Sequence, residues 1–149
     1  MSIAERDPNT ILISNAPRAE RLENRYAAIE TLTPGDLLEL HNDSGTPKWG
    51  VHDSADAATH GMILALDQTE LNKLISDTYA AGSLVKAYHA RSGEKAWVII
   101  GSGEDTVPGT VLQSAGNGKF KVHGSGTALC FALETKTPLA DTRVRVEVI

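Results

Sequence analysis

The sequence predicts a mainly β protein with an N-terminal arm and one short helix-like insert. Three observations predict it. A glycine-led turn recurs before paired aliphatic residues, two segments alternate apolar with charged residues, and an Asn-Gly pair joins two β-prone stretches. At 149 residues the chain has the size of one domain, long enough to bury roughly 70% of its unfolded surface. A hydrophobic fraction of 41% with 5% aromatics is low for a compact globule. Some surface is therefore expected to pack only in an oligomer or as an arm.

The arm is read over residues 1–30 and the β-rich body over 31–149. In the arm, "TILIS" (Thr10 to Ser14) is a β-prone patch between Pro8 and Pro17. "PRAERLENRYAAIE" follows, with Leu22, Tyr26 and Ile29 at helical spacing and Pro17 suited to a first turn. One narrow apolar stripe does not hold a charged helix together by itself. The segment must lie either on the chain's own core or on a neighbouring subunit.

The body opens with the recurring turn: "PGDLLEL", "AGSLVKA" and "PGTVLQS". Gly35, Gly82 and Gly109 each supply the backbone angles of a turn, and aliphatic pairs then open strands. The intervals of 47 and 27 residues are unequal, which excludes a solenoid. Between the first two cells, "DQTELNKLISDTYAAG" pairs Asp67 with Glu70 as a capping box and aligns Leu71, Leu74 and Ile75, predicting the helical insert. In "SAGNGKFKV", Asn117-Gly118 predicts a type I′ hairpin, with Phe120 and Val122 on the dry face of the strand that follows. The closing "TRVRVEVI" alternates Val144, Val146 and Val148 with Arg143, Arg145 and Glu147, a half-buried strand that pins the terminus in a sheet.

No reaction centre emerges from the motifs. "WVIIGSGEDTVPGTVL" imitates a strand feeding a phosphate loop, but Thr106 replaces the third glycine, and Glu104 and Asp105 stand where a phosphate would sit. No Walker lysine follows, so these are turn glycines. Asp43-Ser44-Gly45 resembles the surroundings of a serine nucleophile, yet too little chain precedes Ser44 to build a base and an orienting carboxylate. None of the five histidines lies in a strong zinc signature. His52, Asp53, Asp56 and His60 form a loose cluster, read chiefly as solvated loop polars with Zn²⁺ binding as the rival. No catalytic residue, metal or cofactor is assigned, and an enzyme is not expected. Cys130 in "TALCFALE" reads as a small buried hydrophobe.

A net charge of −5 and a pI near 5.5 argue against direct nucleic-acid binding. No apolar run approaches the ~20 residues of a membrane span, and "MSIAERDPNT" lacks a signal-peptide pattern. No membrane partner and no export are expected.

Five pieces taken in order resemble the capsid cement, or head decoration, proteins of tailed bacteriophages: "TPGDLLEL", "TYAAGSLVKAYHARSGEKAWVII", "VPGTVLQSAGNGKFKV", "GTALCFALETK" and "RVRVEV". The resemblance covers Thr31 to Ile149 and leaves out the arm. It implies a compact β-barrel or β-sandwich, β-tulip-like, assembled as a homotrimer on the outer surface of the virion capsid after synthesis in the host cytoplasm. The implied partner is the phage major capsid protein, bridged between neighbouring subunits. Composition then nominates Ile11, Leu12 and Ile13 as an apolar patch or added strand for that contact. Arg18, Arg21 and Arg25 are their charged neighbours. A β-rich carbohydrate- or receptor-binding module, with Trp49 as its loop platform, is the alternative. A small β-barrel enzyme using the His52–His60 loop is a more distant rival.

Overall fold

The computed structural model describes residues 10–13, 22–55 and 61–149. Its strands in chain order are β1 (Leu22–Glu23), β2 (Leu38–Asp43), β3 (Thr46–Val51), β4 (Met62–Ala65) and β5 (Ala87–Ala90), then β6 (Lys95–Ile100), β7 (Val111–Ser114), β8 (Phe120–Val122), β9 (Cys130–Ala132) and β10 (Thr142–Val148). The last five close into a barrel in the order β10-β6-β8-β7-β9. Ahead of it stand a three-stranded sheet, β1-β5-β4, and the β2-β3 hairpin. The protein is mainly β, with a closed barrel as its body. Among the described residues, no helix is long and apolar enough to cross a membrane.

The barrel follows from alternation. Val144, Val146 and Val148 point inward from β10 and are buried, while Arg145 is exposed. Six residues of β10 pair antiparallel with β6, from Thr142↔Ile100 to Glu147↔Lys95. The other edge of β6 meets β8, parallel, at Ile100↔Phe120. It is extended by the segment at residues 11–13: Trp97 N–H donates to the Ile11 carbonyl at 2.8 Å, and Ile13 N–H to the Lys95 carbonyl at 3.1 Å. Ile11 and Leu12 thereby enter the barrel core.

Two cores share one wall. Met62 and Leu64 join the barrel core, whereas Ile63 and Ala65, alternating with them, join a second core around Leu32, Trp49, Tyr79 and Val85. β4 is consequently buried on both faces, which is why "MILA" is an unbroken apolar run. Leu37 and Leu38 divide between the two cores in the same way.

The three glycine-led cells make one kind of turn. Asp36 N–H donates to Thr33, Ser83 to Ala80 and Thr110 to Val107, at 2.9, 3.0 and 3.0 Å, with positive φ at Gly35, Gly82 and Gly109. Gly35 is also close-packed: a Cβ there would lie 3.2 Å from the Trp97 carbonyl oxygen.

Several local expectations give way to tertiary pairing. Residues 22–30 are extended rather than helical, with bridges Ala27↔Leu84 and Ala28↔Trp49; residues 14–21 lie outside the described residues. The insert shrinks to a three-residue 3-10 turn, Thr69–Leu71. Asp67 does not cap it, because its carboxylate accepts Ile11 N–H and the Thr69 hydroxyl, each at 2.8 Å. The expected stripe splits, with Leu71 and Leu74 at 61% and 69% exposure and Ile75 buried. β7 and β8 do form a hairpin, closed by Ala115 N–H on the Lys119 carbonyl, but positive φ falls on Gly116 and Gly118. The two-residue turn with both φ positive is instead Ser44-Gly45, between β2 and β3. On β8, Phe120 is buried and Val122 is exposed at the strand's end.

The hairpin tip is anchored by a buried ion pair. The Lys119 ammonium meets the Asp36 carboxylate, whose other oxygen accepts Thr33 N–H at 2.8 Å. Burial is the largest influence on Asp36 and holds its carboxyl above the usual range, while Lys119 and the Thr33 N–H pull the other way. Lys119→Met strips a buried carboxylate of its counter-charge and lowers stability by about 3 kcal/mol at neutral pH. A carboxyl raised in the folded state binds its proton more tightly there than in the unfolded chain, so stability falls as pH rises through that window. The Lys119→Met deficit therefore shrinks on acidification towards the ordinary carboxylate range. Asp36→Asn combined with Lys119→Met recovers most of the loss. Urea denaturation across pH measures both effects.

Candidate functional site

Polar and titratable groups converge at the joint between the β2-β3 hairpin and the barrel. Glu39 and His41 are two apart on β2 and share a half-buried face. Opposite Glu39 stands Gly50, and the His41 ring occupies the space a side chain would fill: a Cβ there would lie 2.6 Å from the His41 Cδ2. His41 Nε2 is 3.1 Å from the Val51 carbonyl and 3.4 Å from Glu39 Oε1. Immediately after β3, His52 turns inward and is 2% exposed, while Asp53 turns to solvent.

His52 is held from behind. Its Nδ1 lies 3.1 Å from Ser114 Oγ at the end of β7, and that oxygen also accepts Gly116 N–H at 3.1 Å. Its Nε2 faces Glu39 Oε2 at 3.8 Å, too far for a hydrogen bond, and has no partner among the described residues. Glu39 Oε1 accepts Asp53 N–H at 3.1 Å. One carboxylate thus lies between two imidazoles and a second acid. Nearby, the buried Gln113 amide accepts Gly124 and Gly126 N–H and donates to the Ala55 carbonyl, tying a second loop to the same end of the barrel.

The structure distributes the residues singled out from sequence widely. Ile11 and Leu12 are in the chain's own core, and the strand pairing they make is with β6; Ile13 is 39% exposed. Arg25 is exposed, bonded to Glu23 at 2.8 and 3.0 Å, and lies 5.7 Å from the Tyr26 ring centroid. Arg18 and Arg21 lie outside the described residues, as do Asp56 and His60 of the loose histidine cluster. Of that cluster, His52 and Asp53 do come together, with Glu39 and His41, which sequence reading left unassigned. The available signal was E-x-H on a strand; what it lacked was the register that brings residue 52 beside residue 37.

Other features resolve into structure. Ser44 sits at a hairpin turn with φ of 51°. Gly101 accepts Glu104 N–H, and the Glu104 carboxylate accepts Val122 N–H at 2.9 Å. Trp49 is buried, edge-on to Tyr26 and His89 with ring centroids 6.0 and 6.2 Å away, so it offers no surface platform for a sugar. Cys130 is a buried free thiol that burial pushes far above its usual pKa.

No protein-family model matches the chain, and no curated protein matches it. Among solved structures, it is similar to the N base of the head fiber protein gp8.5 of bacteriophage phi29. The TM-score is 0.57 at 12% identity, over 83% of this chain and 90% of that one. The likeness is one of fold.

Ser114→Ala removes the hydroxyl that partners both His52 Nδ1 and Gly116 N–H. It lowers stability by about 1–3 kcal/mol, the cost of leaving buried polar groups unsatisfied, as read by chemical denaturation.

Proposed function

We propose that this chain is a structural protein of a bacteriophage virion, bound to the outer surface of the head through the major capsid protein. The observation that carries the reading is the likeness of fold, over 83% of this chain and 90% of the other, to a phage head-fiber base. Supporting it, the last four of the five sequence segments that resemble capsid cement proteins contribute the strands of the barrel, and the first leads into the β2-β3 hairpin. The chain acts as a clamp: it binds the assembled shell and not its unassembled subunits, and so stabilises the shell by mass action without turnover. Assembly as a homotrimer multiplies contacts and slows release through effective concentration.

The capsid-facing surface must be apolar and outside the two cores. Leu71, Leu74 and Leu84 meet that condition, at 61%, 69% and 65% exposure. Glu70, beside Leu71, bonds Lys86, two residues from Leu84, at 3.1 Å, which draws these segments together. Ile13, Arg18, Arg21 and the exposed Arg25 remain as the contact set from the arm; Ile11 and Leu12, buried in the barrel core, anchor that arm.

Expanded, undecorated phage heads incubated with the purified protein are expected to bind it stoichiometrically and to disrupt at a higher temperature. Leu71→Glu with Leu74→Glu lowers occupancy by about tenfold or more, as loss of a central contact does, and leaves thermal unfolding of the free protein unchanged. Arg18→Glu with Arg21→Glu tests the arm without removing the buried Ile11-Leu12 pair. Light scattering of the free protein reads the trimer. Heads that sediment bare in the presence of excess protein overturn the proposal.

A further inference from the structure

We infer that Glu39, His41, His52 and Asp53 form a site for one divalent transition-metal cation at the joint between hairpin and barrel. Glu39, His41 and Asp53 each offer a ligand atom, and the three atoms lie within 4.8 Å of one another. The independent observation is His52. It is almost wholly buried, its Nε2 has no partner among the described residues, and that nitrogen faces Glu39 Oε2.

Two separations approach those of a coordination shell, while His52 stands outside the three-atom group and would be drawn onto the ion through the other Glu39 oxygen. Metal–nitrogen and metal–oxygen bonds of about 2.0–2.2 Å in a tetrahedron put ligand atoms roughly 3.3–3.5 Å apart. The His41 Nε2–Glu39 Oε1 and His52 Nε2–Glu39 Oε2 separations are 3.4 and 3.8 Å. Ser114 supplies the outer partner that metal-bound imidazoles require: with Nδ1–H donating to Ser114 Oγ, the His52 Nε2 lone pair is directed at the site. Without a cation the other tautomer, with the Ser114 hydroxyl donating to Nδ1 and Nε2–H facing Glu39, is equally open to the ring; a cation selects the tautomer whose Nε2 lone pair meets it. His41 exchanges its contact with the Val51 carbonyl for the metal. Asp53, exposed, provides the way in.

Two imidazoles and two carboxylates suit a borderline cation such as Zn²⁺, rather than Mg²⁺ or Ca²⁺, which prefer oxygen alone. The bound ion would lock β2 to residues 52–53 and, through Ser114, to β7.

Calorimetric titration of the chelator-treated full chain with Zn²⁺ is expected to show one equivalent bound, with a raised unfolding temperature. Glu39→Gln and His52→Asn each weaken binding at least about tenfold and abolish the temperature shift, while His123→Ala leaves both intact. If His52→Asn fails to fold, Glu39→Gln and His41→Gln, at half-buried positions, decide. A flat trace overturns the site, as does binding that survives Glu39→Gln, binding lost equally in His123→Ala, or binding lost only in Asp56→Ala with His60→Ala. The titration needs no phage heads, so its outcome is separate from that of the capsid proposal.

Discussion

Three backbone hydrogen bonds among Leu37, His52 and Gly118 join the hairpin end of the molecule to the barrel. Leu37 N–H donates to Gly118, Gly118 N–H to His52 and His52 N–H to Leu37, at 2.8, 3.2 and 2.8 Å. Each comes from a different part of the chain: the start of β2, the exit of β3 and the tip of the β7-β8 hairpin. The triangle tolerates no side chain at residue 118, where a Cβ would stand 2.9 Å from Val51 Cγ1. Directly beside it, the Asp36–Lys119 pair locks the same hairpin to the Thr33–Asp36 turn. The His52–Ser114 and Ala55–Gln113 hydrogen bonds reinforce the same junction from the side chains.

The joint also explains why a chain of modest hydrophobicity sustains two cores. A sheet that is wet on one face spends half its residues on solvent; β4 spends none, because Met62 and Leu64 serve one core while Ile63 and Ala65 serve the other. A shared wall needs fewer apolar residues than two separate domains would. It also makes the cores mechanically continuous, since displacing β4 disturbs both packings together. Close-packed interiors transmit strain rather than absorb it.

What was legible in the sequence was whatever local pattern decides. β10 could be read because three valines alternate with charged residues, and the β7-β8 hairpin because glycines crowd the connection. What was not legible depended on partners remote in sequence. "MILAL" carries no period to separate strand from helix, since a strand buried on both faces has none. Asp67 has the look of a helix cap, yet its carboxylate is taken by Ile11 N–H from 56 residues away. Leu22, Tyr26 and Ile29 have helical spacing, but the segment is claimed as an extended edge by Tyr88, Leu84 and Trp49, the usual override of local propensity by tertiary pairing. The polar joint shared this fate: E-x-H and H-D are unremarkable apart, and only the pairing of β2 with β3 and the inward turn at residue 52 unite them.

The same distinction bears on the likeness to the head-fiber base. A barrel asks of most positions only an apolar residue on alternate sites and a tolerant residue at each corner, and many sequences satisfy that. Twelve per cent identity is therefore compatible with a common body. Glu39, His41, His52 and Ser114 are not interchangeable in this way, because each acts through one named atom at one distance. The likeness thus concerns the fold, and the joint concerns side chains that act one by one in this chain. If the joint takes a cation, the ion adds bonds between β2 and residues 52–53 beside the Leu37–His52–Gly118 triangle, and through His52 and Ser114 it stiffens the same junction of hairpin and barrel.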